Sequence, residues 1–124
     1  MPAQHAIQTA LGGYQSINEY IHPGGRFYEQ SKAASRQLNE IPGVSSVRPR
    51  GALYCFPRLD PAVYPIEDDE QFVIDLLRAK KLLVTHGTGF NWPLPDHFRL
   101  VTLPDVTMLE EAIGRIADFL ATMR

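Results

Sequence analysis

The sequence holds a single cysteine, Cys55, so no disulfide can form within the chain. The start, M-P-A-Q-H-A, lacks a basic region followed by an apolar one, and with so little thiol it predicts a cytoplasmic setting. A marked excess of one charge sign is missing too. Twelve Lys and Arg against fourteen Asp and Glu leave a net charge of −2 without a run of like charges, which predicts neither a nucleic-acid partner nor an anionic membrane surface. No apolar run is long enough to cross a bilayer, and there is no internal repeat or low-complexity tract. The four histidines include no close helical pair and have no cysteine set beside them, so no metal site is assigned. The G-x-G of Gly87 and Gly89 lacks the third glycine of a dinucleotide fingerprint; Trp92 stands there, and no helix pattern follows.

What remains is a chain of 124 residues, 44% hydrophobic, long enough for one core. Pro2 to Leu11 predicts a short helix, begun by Pro2, ended by Gly12-Gly13, and too poor in apolar residues to be held tightly. A longer helix is predicted from Arg26 to Ile41, with Phe27, Ala34, Leu38 and Ile41 as its stripe and Pro42-Gly43 as its stop. Val44 to Arg48 and Ala52 to Phe56 predict a hairpin turning through Pro49-Arg50-Gly51, and the prolines of Leu59 to Glu67 predict an irregular loop. Asp68 and Gln71 have capping-box spacing and open a helix with Phe72, Val73, Leu76 and Leu77 inward and Lys80-Lys81 at its negative end. Leu82 to Thr85 and Phe98 to Leu103 predict strands. A second capping-box spacing, Thr107 and Glu110, opens a last helix with Leu109, Ala112, Ile113, Ile116, Leu120 and Met123 inward. The expected fold class is α+β: a small, mostly antiparallel sheet of three or four short strands with long helices on one face.

Arg99 is the candidate site residue. Strand alternation puts Phe98, Leu100 and Thr102 on one face and Arg99, Val101 and Leu103 on the other, so the guanidinium points where apolar neighbours point. Arginine cannot shed its charge, and its planar fork suits a carboxylate or phosphate, supplied by a side chain or a ligand. The preceding loop, with Gly87, Gly89, Pro93 and Pro95, has the make-up of a pocket wall and favours a ligand. His97, two positions earlier, either lines that pocket or is a hydrogen-bonded structural histidine. Phe90 and Trp92 either line it or pack on their own loop. Other reactive types have plainer explanations: Lys32 as a solvated helix residue, Lys80 and Lys81 as helix-end charges, and Asp68, Asp69 and Glu70 as caps. Arg48 and Arg50 read as surface charge, and Cys55 as a small buried hydrophobe.

G-A-L-Y-C-F-P-R at Gly51 to Arg58, L-L-V-T-H-G-T-G-F-N-W-P after it, and D-H-F-R-L-V-T-L-P at Asp96 to Pro104 resemble the C-terminal part of class I/II pyridoxal-phosphate-dependent aminotransferases. The likeness runs from P-A-Q-H-A-I-Q-T-A-L-G-G-Y-Q to the last helix and is strongest to bacterial alanine (glutamate–pyruvate) and aspartate-type transaminases. It implies the small domain of a fold-type I enzyme over residues 24–124, with residues 1–23 the edge of the large domain and a linker. It implies an amino acid and a 2-oxo acid as substrates, a homodimer, and Arg99, in the H-F-R motif, as the residue binding the substrate α-carboxylate. Pyridoxal 5'-phosphate is the implied cofactor, but its lysine, pyridine-facing aspartate and phosphate cup would lie upstream. No catalytic, cofactor-binding or metal residue is therefore expected in this chain, which alone should be inactive. From the residues alone, a non-catalytic module binding a small carboxylate through Arg99 is the alternative.

Overall fold

Helix α5, Val106–Ala121, buries Leu109, Ile113, Ile116 and Leu120 at helical spacing. Burying side chains of this size contributes about 1.5–3 kcal/mol each, so the stripe is one of the larger apolar contributions to the fold. Against it lie α3, Arg26–Glu40, and α4, Asp69–Lys80, which add Ala34, Leu38, Phe72, Val73 and Leu76 to the same core. The computed structural model describes residues 1–124. Its two other helices, α1 (Pro2–Gly12) and α2 (Asn18–Ile21), bury no side chain. No helix is long and apolar enough to cross a membrane.

Five two- to four-residue strands form two antiparallel sheets, where a single sheet of three or four was expected. β1 (Val44–Ser45) pairs with β3 (Arg58–Leu59), while β5 (Phe98–Val101) lies between β2 (Tyr54–Cys55) and β4 (Thr85–His86). Phe98, Leu100 and Thr102 face the helices as expected, and Cys55 and Val84 join them. The opposite face of β5 is left open.

The expected hairpin between Val44–Arg48 and Ala52–Phe56 does not form. The Asn39 side chain takes both backbone groups of Ser46, accepting from its N–H at 2.9 Å and donating to its C=O at 2.8 Å, which ends β1 after two residues. On the other side, the Leu53 carbonyl accepts from Thr102 N–H at 2.8 Å, and β2 is committed to β5. The left-handed residue near this turn is Ala52, at φ 56°, rather than Gly51. Leu59, placed in an irregular loop by the sequence, pairs with Val44. Gly43 makes that junction possible: its φ is 78°, and a Cβ there would stand 2.8 Å from the Tyr64 ring.

Helix ends follow local chemistry with two corrections. Asp68 caps α4 by accepting from Gln71 N–H at 2.9 Å, but the Gln71 amide turns to Asp75, so only half of the capping box exists. Asp105, not Thr107, caps α5 by accepting from Met108 N–H, because it stands immediately before the first helical residue. Leu77 and Met123, assigned to buried stripes, are 39% and 36% exposed. Phe27 is half-buried and packs on Tyr20 at 5.4 Å, while Gln30 takes the buried place on α3. β4 begins at Thr85, leaving Leu82 to Val84 outside the ladder.

One polar knot ties the loop before β5 to the body. The buried Asp96 carboxylate accepts from Trp92 Nε1 at 2.9 Å and Arg58 Nε at 3.2 Å, and lies 2.7 Å from His97 Nδ1. The His97 ring stacks on Phe56 at 4.7 Å and meets Trp92 at 4.4 Å. Burial pushes the Asp96 acid upward, but the hydrogen bonds from His97, Trp92 and Arg58 outweigh it, and its pKa is lowered. A carboxylate with a depressed folded-state pKa adds stability that is present above its unfolded value, about 3.9, and is lost as pH falls through the folded value. Asp96→Asn should therefore be less stable than wild type at neutral pH, with the gap closing in acid. Denaturant unfolding across that range checks this; parallel stability curves for the two proteins would contradict it.

Candidate carboxylate-binding site

Arg99 sits in the middle of β5, on the face turned away from the helices, paired through its backbone with Thr85. Tyr54 of β2 stands opposite Val101 and so is a diagonal neighbour on the same face. Its ring centroid is 4.5 Å from the Arg99 guanidinium carbon. A second ring, Phe90, reaches the same carbon at 4.1 Å from the short 3-10 turn Thr88–Phe90. Both distances lie within the range in which a cation is held over an aromatic face.

No ion pair in the molecule includes Arg99. Its Nε is shielded from solvent and has no hydrogen-bond partner. Leaving such a donor unsatisfied costs about 1–3 kcal/mol or more, so the arrangement is poised for an acceptor the chain does not itself provide. Tyr54 and Phe90 are each 43% exposed, and the guanidinium therefore lies at an opening rather than in a sealed interior. Of the two partners the sequence allowed, a side-chain carboxylate is absent.

The loop is shaped by close approach, not by left-handed glycines. A Cβ on Gly87 would meet the His97 carbonyl at 2.7 Å, and one on Gly89 the His86 ring at 2.9 Å. The left-handed position is Asn91, at φ 59°, which closes the turn carrying Phe90. His97 makes its hydrogen bond to Asp96 and is a structural histidine. Trp92 packs with it on Phe56, whereas Phe90 leaves its own loop to contact Arg99.

Tyr54, Asp69 and Thr88 belong to this neighbourhood and escaped the sequence reading. Asp69 is no cap: its buried carboxylate accepts from Thr88 N–H at 2.9 Å and from the Thr88 hydroxyl at 2.7 Å. Tyr54 had a detectable signal, the alternation Leu53, Tyr54, Cys55, but only its pairing with β5 sets it beside Arg99. Cys55 is fully buried, and burial pushes its thiol pKa up, opposite to what a nucleophile needs. Lys32 and Lys81 are exposed, and Lys80 lies 3.9 Å from Asp118 at the surface. Arg48 stacks over Tyr28 at 4.3 Å, and with Arg50 it lines a cavity of about 390 Å³ in which Arg99 has no part.

The model of the family described as "Aminotransferase class I and II" matches residues 1–116. The chain is 64% identical over 124 residues to the alanine aminotransferase of Mycobacterium tuberculosis, covering 100% of this chain and 29% of that protein. It is 58% identical over 121 residues to the glutamate-pyruvate aminotransferase AlaA of Escherichia coli, covering 98% and 30%. Among solved structures, an aminotransferase from Escherichia coli superposes with a TM-score of 0.88 at 58% identity, over 98% of this chain and 30% of its own. The alanine aminotransferase from Pyrococcus furiosus does so with a TM-score of 0.82 at 38% identity, with the same coverage. The chain thus spans about 30% of the length of the relatives it matches, and its α+β fold is one part of a fold-type I aminotransferase. A family match over nearly the whole chain, on a fold shared with solved members, makes this chain a member of the class I and II aminotransferases.

Proposed function

We propose that the whole protein transfers an amino group between an amino acid, with alanine, glutamate and aspartate as candidates, and a 2-oxo acid, and that Arg99 holds the substrate α-carboxylate. The observation that carries this is a guanidinium resting on Tyr54 and Phe90 at an open surface with no anionic partner of its own. A carboxylate is common to both substrates, so one cationic fork serves the amino acid and the oxo acid in turn. The rings exclude water from parts of the guanidinium, which lowers the local dielectric and strengthens the bonds it makes to an arriving anion. Fixing the carboxylate in this way orients the substrate's reacting end relative to the rest of the enzyme.

Pyridoxal 5'-phosphate, the proposed cofactor, supplies the electron sink for such a transfer when bound. The residues present here do not fit it. The chain has only three lysines, Lys32, Lys80 and Lys81, none of them buried, and no step is assigned to them. Cofactor binding is placed in the part of the protein outside this chain. The same reading makes residues 24–124 the small domain and residues 1–23 the large-domain edge and linker, supported by the absence of buried side chains in α1 and α2. Resemblance to the family supports a homodimer, and the single, unpaired Cys55 supports a cytoplasmic setting.

Two charge-assisted hydrogen bonds at a shielded site contribute about 3 kcal/mol or more, which corresponds to roughly a hundredfold in an equilibrium or rate constant. Lysine offers a point charge in place of the fork. In the full-length enzyme, Arg99→Lys should lower kcat/KM by about that factor for both the amino-acid and the oxo-acid substrate; steady-state kinetics in each direction measure it, and near-normal constants would refute the assignment. The 124-residue chain mixed with pyridoxal phosphate, alanine and 2-oxoglutarate should show no turnover, and catalysis by the chain alone would overturn the division of labour.

A further inference from the structure

Resting on the reading of Arg99 as the carboxylate-binding residue, we propose that Asp69 is a positioning residue for it, acting through Thr88 and Phe90. Asp69 stands in the first turn of α4, only 4% exposed, yet it is not the cap of that helix, a role filled by Asp68. It pairs with no cation. A buried carboxylate without a counter-ion is costly, and this one is retained by directing both oxygens at one loop residue: Oδ2 accepts from Thr88 N–H at 2.9 Å and Oδ1 from the Thr88 hydroxyl at 2.7 Å.

Thr88 begins the 3-10 turn whose last residue is Phe90, the ring 4.1 Å from the Arg99 guanidinium carbon. The turn is pinned on its other side by Gly87 N–H donating to the His97 carbonyl at 2.9 Å, and closed by Asn91 N–H donating to the Thr88 carbonyl at 3.0 Å. Asp69 is thus the tie from the helical body to the segment that lays an aromatic ring on the cation. Without it, Phe90 loses its seat. The guanidinium keeps its charge but gains water and orientational freedom, so it meets a carboxylate less favourably.

Weakening one of the guanidinium's hydrogen bonds to the carboxylate is worth about tenfold in affinity, which sets the expected size of the effect. In the full-length enzyme, Asp69→Ala should raise KM for amino-acid and oxo-acid substrates by about that factor while changing kcat much less. Thr88→Val, which removes only the hydroxyl bond, should move KM the same way. Asp69→Asn should rescue, because its amide oxygen accepts from Thr88 N–H while its NH2 group donates to the Thr88 hydroxyl oxygen.

A second readout is independent of turnover: the rate at which an arginine-selective dicarbonyl modifies Arg99, followed by peptide mass spectrometry with Arg115 as internal reference. That rate should rise in Asp69→Ala and Thr88→Val and stay at the wild-type value in Asp69→Asn. If Asp69→Ala fails to fold, Thr88→Val decides alone. Unchanged Arg99 reactivity together with unchanged KM in a folded variant overturns the positioning role, even when Arg99→Lys cripples binding. Faster modification of Arg99 without any effect on KM, in an enzyme where Arg99→Lys is also silent, upholds the Asp69 tie and instead refutes the carboxylate reading.

Discussion

A guanidinium that cannot lose its proton, set in a strand whose other face is core, is the constraint around which this structure is arranged. Phe98 and Leu100 commit β5 to the helices on one side, and alternation then forces Arg99 to the other. A cation in that position needs compensation. Tyr54 and Phe90 supply part of it through their faces, and no anionic side chain of this chain supplies the remainder. The rest of the molecule places those two rings. β2 brings Tyr54 by pairing with β5, and the Asp69–Thr88 tie brings Phe90 from a turn that would otherwise be held only at its ends.

The site therefore draws on three parts of the chain that are distant in sequence and rigid for different reasons. Helix α4 is fixed by Phe72, whose ring lies 6.1 Å from Phe98 and 5.8 Å from Phe119, so the tie begins from a packed body. Asp96, holding Trp92, His97 and Arg58 together, fixes the end of the loop just before β5. Between those anchors only a few residues remain to carry Phe90. Such a design gives a short, stiff lever onto the arginine.

Much of this was legible without coordinates, where the signal was local. The alternation around Arg99 gave its face, the H-F-R and G-A-L-Y motifs gave the family, and Asp68 announced the start of α4. What escaped depended on partners remote in sequence. Nothing near Val44 reveals that Asn39 will occupy Ser46's backbone groups, so a hairpin was the natural reading of two short apolar runs around Pro49. Asp69 looks like one more helix-start acid beside Asp68 and Glu70; that it faces Thr88 follows only once β4 packs against α4. Thr107 offered a capping spacing, yet Asp105, directly ahead of the first turn, holds the stronger acceptor. Met123 continued the stripe of α5 on paper, but the helix ends at Ala121 and leaves it 36% exposed.

The most direct measurement is a crystal structure of the full-length protein with a bound dead-end substrate analogue that keeps the α-carboxylate. The account predicts both carboxylate oxygens on the Arg99 fork at about 2.7–2.9 Å, with Tyr54 and Phe90 still against the guanidinium. A carboxylate held elsewhere, with Arg99 paired to an acidic side chain of the protein, would contradict it.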